Sequence, residues 1–216
     1  MAKSRPGGLY TWVTWLTSLL AGDAQCFFAP WFKSRHTYEK VPRDFDVAAW
    51  TAEHTAMVRK RVAELKADGW TCTVENQNQF RIVGQSTTLA GKMDIVAVQG
   101  ERILVIDCKS GQQRDSDWWQ VLIYLFVLPM TKPTLTAGRI VEGEVTYKSR
   151  SVPVPPEMLT EARRTDLIDL LRLMASPNAP EAVPSAHGCN FCDIPKSECP
   201  VRFGEGTKVD ILTSEF

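Results

Sequence analysis

The stretch Gly91-Lys92-Met93-Asp94-Ile95-Val96-Ala97-Val98-Gln99-Gly100-Glu101-Arg102-Ile103-Leu104-Val105-Ile106-Asp107-Cys108-Lys109 decides the fold. Gly100-Glu101 suits a two-residue hairpin turn between two β-rich runs, 92–98 and 102–108. Pairing outward from that turn sets Asp94 opposite Asp107, with Cβ atoms ~4.5–5.5 Å apart. Two carboxylates at that spacing repel, which is costly in an ordinary sheet and sensible around a divalent cation. Lys109 lies two residues beyond Asp107, so the pleat returns it to the same face. Ile103 to Ile106 form a continuous apolar run, as in a strand covered on both faces, which leaves the ionisable groups at its end.

Upstream, residues 47–68 carry Trp50, Met57, Val58, Val62 and Leu65 at helical spacing, with His54 on the same face and Gly69 as a C-cap. β-like runs follow at 70–75 and 79–83. Downstream, Ser116 can cap a helix running to about 128, with Pro129 near its end. Gln120 and Tyr124 share one face of that helix and are its polar handles within an apolar run. Two strands are expected at 139–141 and 144–148, separated by Gly143, then a helix over 156–175 and a proline-marked connector over 177–184. The order is that of an α/β core with flanking elaboration.

The 25 basic and 25 acidic side chains cancel, so bulk charge points to no nucleic acid, and Arg59-Lys60-Arg61 and Arg163-Arg164 are weak local candidates for contacting one. Near the N-terminus Trp12, Trp15, Leu16, Leu19 and Leu20 suggest an amphipathic helix packed on the domain, not a secretory signal. No stretch reaches the ~18 apolar residues of a membrane span, and the expectation is a cytoplasmic protein with reduced thiols. Six cysteines in that setting suggest metal or cluster ligands before disulfides.

Asp94, Asp107-Cys108-Lys109 and Gln120-x-x-x-Tyr124 together resemble the PD-(D/E)XK nuclease superfamily, specifically its RecB-like branch. The resemblance implies a restriction-endonuclease-like α/β fold, a mixed central sheet flanked by helices. It implies Mg²⁺ or Mn²⁺ held by His54, Asp94, Asp107 and the carbonyl of Cys108, with Lys109 acting on the attacking water. Gln120 and Tyr124 would support that site or contact DNA. His36 and His187 are poorer matches to the histidine, each lying near a candidate cluster cysteine.

Cys189-x-x-Cys192, then Cys199-Pro200, with Cys26 far upstream, fit the four thiolates of a 4Fe-4S cluster. A structural zinc site is the competing reading. The arrangement resembles iron–sulfur RecB-like nucleases, in which one cysteine precedes the core and three follow it. Phe27, Phe28, Pro30, Trp31 and Phe32 are expected around the cluster, Lys33 and Arg35 could face DNA, and Trp31 could stack on a base. Cys72 and Cys108 read as small apolar strand residues.

The expected organisation is one nuclease domain over 1–216. Its catalytic core would span 47–150, and 1–46 and 176–216 would form a cluster lobe joining the N- and C-terminal parts. Without a helicase phosphate loop, the chain most resembles the fourth CRISPR-associated protein family, adaptation exonucleases that trim DNA before spacer capture. That implies cleavage of single-stranded DNA or DNA ends and association with the CRISPR integrase proteins. Alternatives are a phage or recombination-repair exonuclease of the same branch, or a non-catalytic iron–sulfur DNA-binding protein.

Overall fold

The computed structural model describes residues 1–42 and 45–203. The C-terminal part of the expected cluster lobe, beyond residue 203, lies outside the described residues.

Strands β1 (Lys3–Ser4) and β2 (Tyr10–Trp12) open the chain, followed by helices α1 (Thr17–Leu20) and α2 (Phe28–Arg35), strand β3 (His36–Thr37) and helix α3 (Val47–Ala67). Five strands follow: β4 (Thr71–Val74), β5 (Gln79–Val83), β6 (Thr88–Lys92), β7 (Ile95–Gln99) and β8 (Arg102–Lys109). Helices α4 (Asp115–Thr131) and α5 (Pro133–Thr136) lead to β9 (Ile140–Tyr147) and β10 (Ser151–Val154), and α6 (Glu161–Ala175) and α7 (Ala186–Asn190) complete the described chain.

The main sheet is mixed, in the order β10-β9-β8-β7-β4, with β8 and β9 parallel and the other neighbours antiparallel. A three-stranded sheet, β2-β6-β5, lies beside it, and β1 pairs with β3. The β7–β8 register runs from Gln99 opposite Arg102 to Ile95 opposite Ile106, as the Gly100-Glu101 turn demands, and its continuation aligns Asp94 with Asp107. Alternation along these strands divides the core. Ile95, Ala97, Ile106 and Cys108 pack with Val58 and Leu65 of α3. Val96, Ile103, Val105 and Val145 pack in the larger core with Val121, Leu122 and Leu128 of α4.

A bidentate ion pair clamps α3 to the sheet: Arg61 Nε and Nη2 donate to the two carboxylate oxygens of Glu144 at 2.9 and 2.8 Å. Arg61 is therefore engaged in the fold, not a free cation. The same correction applies to Arg163 and Arg164, whose guanidinium groups donate to the carbonyls of Met158 and Leu159. Lys33 pairs with Asp193 at 2.8 Å, and Arg35 donates to the carbonyls of Met174 and Ser176, so both are engaged within the fold. Trp31 is buried and donates to the Ser176 carbonyl at 2.8 Å, which removes it as a base-stacking residue.

The local structure departs from expectation at several points, and the helix expected over 156–175 begins only at Glu161. The N-terminal amphipathic helix is instead β2, a 3₁₀ turn at Val13–Trp15 and the short α1, because β2 pairs in parallel with β6 and drives Val13 and Leu16 into the core. The apolar spacing was real, but burial here needs no helical period. Strand β6 falls mostly in the stretch 84–91, which lacks a strand-like alternation. Gly143 does not separate two strands: β9 runs through it.

The reason for Gly143 is steric. A Cβ there would collide with Val121 Cγ1 of α4 and approach the Val154 carbonyl to 2.9 Å, so glycine lets the helix lie directly on the strand. Gly143→Ala is expected to destabilise the protein by ~1–3 kcal/mol through overpacking. Chemical denaturation measures this, and unchanged stability would mean that α4 is not seated on β9 at this point.

Candidate functional site

The carboxyl end of β8 is the site. Asp107 and Lys109 leave it on the face toward α4, while Asp94, at the entry to β7, reaches across. Asp94 Oδ2 accepts a hydrogen bond from the Cys108 backbone N–H at 2.8 Å, and its Oδ1 lies 3.4 Å from His54 Nε2. One carboxylate thereby links both strands to α3.

Helix α4 completes the other side. Gln120 Nε2 donates to Asp107 Oδ1 at 2.7 Å and to the Tyr124 hydroxyl at 2.7 Å, and Gln120 Oε1 accepts from Lys109 Nζ at 2.8 Å. The Tyr124 hydroxyl in turn donates to the Lys92 carbonyl at 2.8 Å. The four-residue spacing of Gln120 and Tyr124 is what allows one amide to serve the carboxylate, the amine and the phenol together. His54, Asp94, Asp107, Cys108, Lys109, Gln120 and Tyr124, all named from the sequence, line one cavity of about 510 Å³.

The electrostatics follow from burial. Desolvation pushes the Asp107 carboxyl up to about 6, against the lowering effect of Lys109 and with a further push from Asp94. Asp107 Oδ2 is buried and receives no aligned hydrogen bond, although Lys109 Nζ stands 2.9 Å away as an ion partner. Burial alone would lower the pKa of Lys109, but Asp107 outweighs it and holds the amine above its ordinary value. Lys109 is therefore a cation at neutral pH. The hydrogen bond to Asp94 is the main cause raising His54. Burial, then the two carboxylates, pushes the Cys108 thiol up, so this cysteine is a neutral core residue and its backbone is what meets the site. Cys72 likewise packs beside the core under α3.

These groups suit a hard divalent ion chemically: two carboxylates, a histidine nitrogen, and a buried carboxylate oxygen short of hydrogen bonds. Among the described residues, no group of three or more His, Cys, Asp and Glu side chains converges closely enough to hold a metal ion. Here the reason is visible in the pairing: Asp94 is turned to His54 and the Cys108 amide, and Asp107 to Gln120 and Lys109. His36 stacks on Phe32 and His187 lies against Phe191, both away from this cavity.

The cavity is also lined by residues that the sequence does not mark as site residues, among them Trp12, Trp50, Glu75 and Lys92. Lys92 was legible in principle, since it lies two residues before Asp94. Glu75 was not, because what marks it is its backbone: with φ at +39° it is the non-glycine residue of positive φ among the described residues. Its N–H donates to the Asp94 carbonyl at 3.0 Å, and its carboxylate lies 3.5 Å from Lys92 Nζ.

The profile of the PD-(D/E)XK nuclease superfamily matches residues 20–200. The chain belongs to this superfamily. Membership in the PD-(D/E)XK nucleases implies phosphodiester hydrolysis with DNA as substrate, and Mg²⁺ or Mn²⁺ as the usual ion. Among solved structures, that of SSO0001 is similar at a TM-score of 0.44 and 17% identity, over 73% of each chain. No curated protein matches at a significant level. Among the described residues, no helix is long and apolar enough to cross a membrane.

A second constellation lies between the N-terminal segment and the residues after 181. Cys26, Cys189, Cys192 and Cys199 all line one cavity of about 260 Å³, together with Phe28 and Pro30. Burial raises the Cys199 thiol, and the neighbouring Cys26, Cys192 and Cys189 add to the effect. Trp31 and Phe32, expected beside these cysteines, belong to the main core, against which Cys192 and Cys199 also pack.

Left-handed backbone at a residue with a side chain costs about 1 kcal/mol or more, and such strain collects at functional sites. Glu75→Gly is accordingly expected to raise stability by about 1 kcal/mol. A melting curve tests this, and a lower melting temperature would show that the Glu75 side chain contributes more to the fold than its backbone costs.

Proposed function

We propose that the protein is a divalent-metal-dependent exonuclease acting on single-stranded DNA or DNA ends. In this reading it carries a 4Fe-4S cluster on Cys26, Cys189, Cys192 and Cys199. Its place would be the cytoplasm, processing DNA for CRISPR spacer acquisition beside the integrase proteins. The observation that carries the nuclease reading is the buried pair Asp94 and Asp107 with Lys109 bound to Asp107 and to Gln120. An amine so held is not needed to stabilise an ordinary strand end.

His54, Asp94, Asp107 and the Cys108 carbonyl would hold the divalent ion. When bound, such an ion polarises a phosphoryl oxygen and lowers the pKa of water. Lys109 supplies positive charge at a fixed point, because Asp107 keeps it protonated and Gln120 keeps it oriented. Its role is to stabilise charge developing on the phosphate and to orient the attacking water. Gln120 is a positioning residue: it fixes Asp107 and Lys109 at once. Tyr124 ties that amide to the Lys92 carbonyl and so to the edge of β6.

The cluster reading is supported by the chemistry of the donor set, four thiols on one cavity, drawn from both ends of the chain. A four-iron cluster is larger than one ion, so its thiolates stand farther apart than the ligands of a single metal. The surrounding contacts also join the two ends. Ala2 N donates to Glu198 Oε1 at 2.6 Å, Val41 N to the Asp193 carbonyl at 2.9 Å, and the Tyr38 hydroxyl to Asp193 Oδ1 at 2.9 Å. The adaptation pathway rests on the resemblance in motif and cysteine order.

Two outcomes are expected. Anaerobically purified protein cuts end-labelled single-stranded DNA progressively with Mn²⁺ or Mg²⁺, not with EDTA, and Lys109→Ala slows cutting by about 10²-fold or more. Undiminished cutting by Lys109→Ala would overturn the assigned site, and cutting confined to internal positions would overturn the exonuclease reading. The same preparation is brown and contains iron and sulfide. Cys26→Ala loses the colour and melts at lower temperature, whereas a colourless parent with bound zinc would replace the cluster by a zinc site.

A further inference from the structure

We infer that Trp50, with Phe45 beside it, is a stacking site for one unpaired nucleobase at the mouth of the candidate catalytic cavity. The inference rests on the nuclease reading and adds the feature that makes a single strand or frayed end the preferred substrate.

Trp50 is the one exposed tryptophan of seven, with 44% of its surface in solvent, on the exposed N-terminal part of a helix that buries Val58 and Leu65 farther along. Phe45 is 54% exposed and contacts it, ring centroids 6.3 Å apart. Of the large apolar side chains left exposed, Trp50 is the one that lines the cavity containing Asp94, Asp107 and Lys109. Its indole lies nearly parallel to the His54 imidazole, at 12° and 5.4 Å, and His54 reaches Asp94 at 3.4 Å. Indole, imidazole and carboxylate therefore form a continuous row from solvent to the acidic pair.

The platform is also held in place before any ligand arrives. It stands on the first turn of α3, where the Asp46 side chain caps the Ala49 N–H at 2.8 Å and the Asp46 carbonyl accepts from Trp50 N at 3.0 Å. A rigid aromatic plane loses little freedom on binding. Every base has a π-face, so stacking grips a strand without reading its sequence. In a duplex those faces are already covered by neighbouring base pairs, whereas an unpaired base offers them. A nucleotide whose phosphate sits at the acidic pair would have its own or its neighbour's base at this rim. Continuity with the cavity favours this occupant over a protein partner.

The test uses the full chain carrying Lys109→Ala, with Ca²⁺ present, and the fluorescence anisotropy of a labelled single-stranded oligonucleotide and a blunt hairpin duplex. Adding Trp50→Ala is expected to weaken single-strand binding roughly 5- to 100-fold while leaving the duplex within about twofold, and Trp50→Phe recovers most of the loss. An abasic position scanned along the oligonucleotide should weaken the Trp50 protein at one site and cost Trp50→Ala nothing there. Equal losses for single strand and duplex would assign Trp50 to holding His54 and overturn the stacking site, as would additive effects of the abasic position and the substitution. Failure of the Trp50 protein to bind either DNA would overturn the nuclease reading as well. Melting of Trp50→Ala at the parent temperature separates these results from unfolding.

Discussion

Two carboxylates face one another at the inner end of a hairpin, and the surroundings are arranged to make that tolerable. Buried like charges are costly, and the acidic oxygens here are met by partners drawn from β8, α3 and α4. The Cys108 amide comes from β8, His54 from α3, Gln120 from α4, and Lys109 from the end of the strand that carries Asp107. Compensation remains incomplete at Asp107 Oδ2, which has charge beside it but no aligned hydrogen bond. A site under that constraint is receptive to a divalent cation.

The constraint explains why both faces of the sheet are covered. The pleat sends Asp107 and Lys109 toward α4, while α3, which supplies His54, packs on the opposite face. Asp94 bridges the two layers by extending to His54 on one side and to the β8 backbone on the other. Glycine at 143 matters for the same reason, since it lets α4 settle close enough to β9 to bring Gln120 and Tyr124 over the strand end. The site and the packing of the core are one problem.

A neutral chain must use its cations selectively. Several that looked free in the sequence are committed to the fold: Arg61 to Glu144, Lys33 to Asp193, and Arg35, Arg163 and Arg164 to backbone carbonyls. Their burial costs are met by hydrogen bonds, and they contribute rigidity around the N-terminal segment and α6. Lys92 and Lys109, by contrast, line the cavity itself. With no general positive field to attract a polyanion, aromatic contact at the cavity rim offers a complementary means of holding a strand.

The residues by themselves determined the hairpin register and, through it, the opposition of Asp94 and Asp107, because a two-residue turn and a period of two leave no freedom. They also determined which face of α4 carries Gln120 and Tyr124, and that α3 brings His54 toward the sheet, since helical spacing is local. The tertiary structure decided the rest. Whether Gly143 breaks a strand depends on a helix distant in sequence, whether Val13 and Leu16 are buried by a helix or a strand depends on the parallel pairing of β2 with β6, and whether Arg61 is free depends on Glu144. The left-handed backbone of Glu75 leaves no periodic signal, and the helical spacing that groups Trp50 with Val58 and Leu65 does not show that its indole is exposed. Local pattern reports what a segment can bury, while long-range packing selects the partner it is buried against.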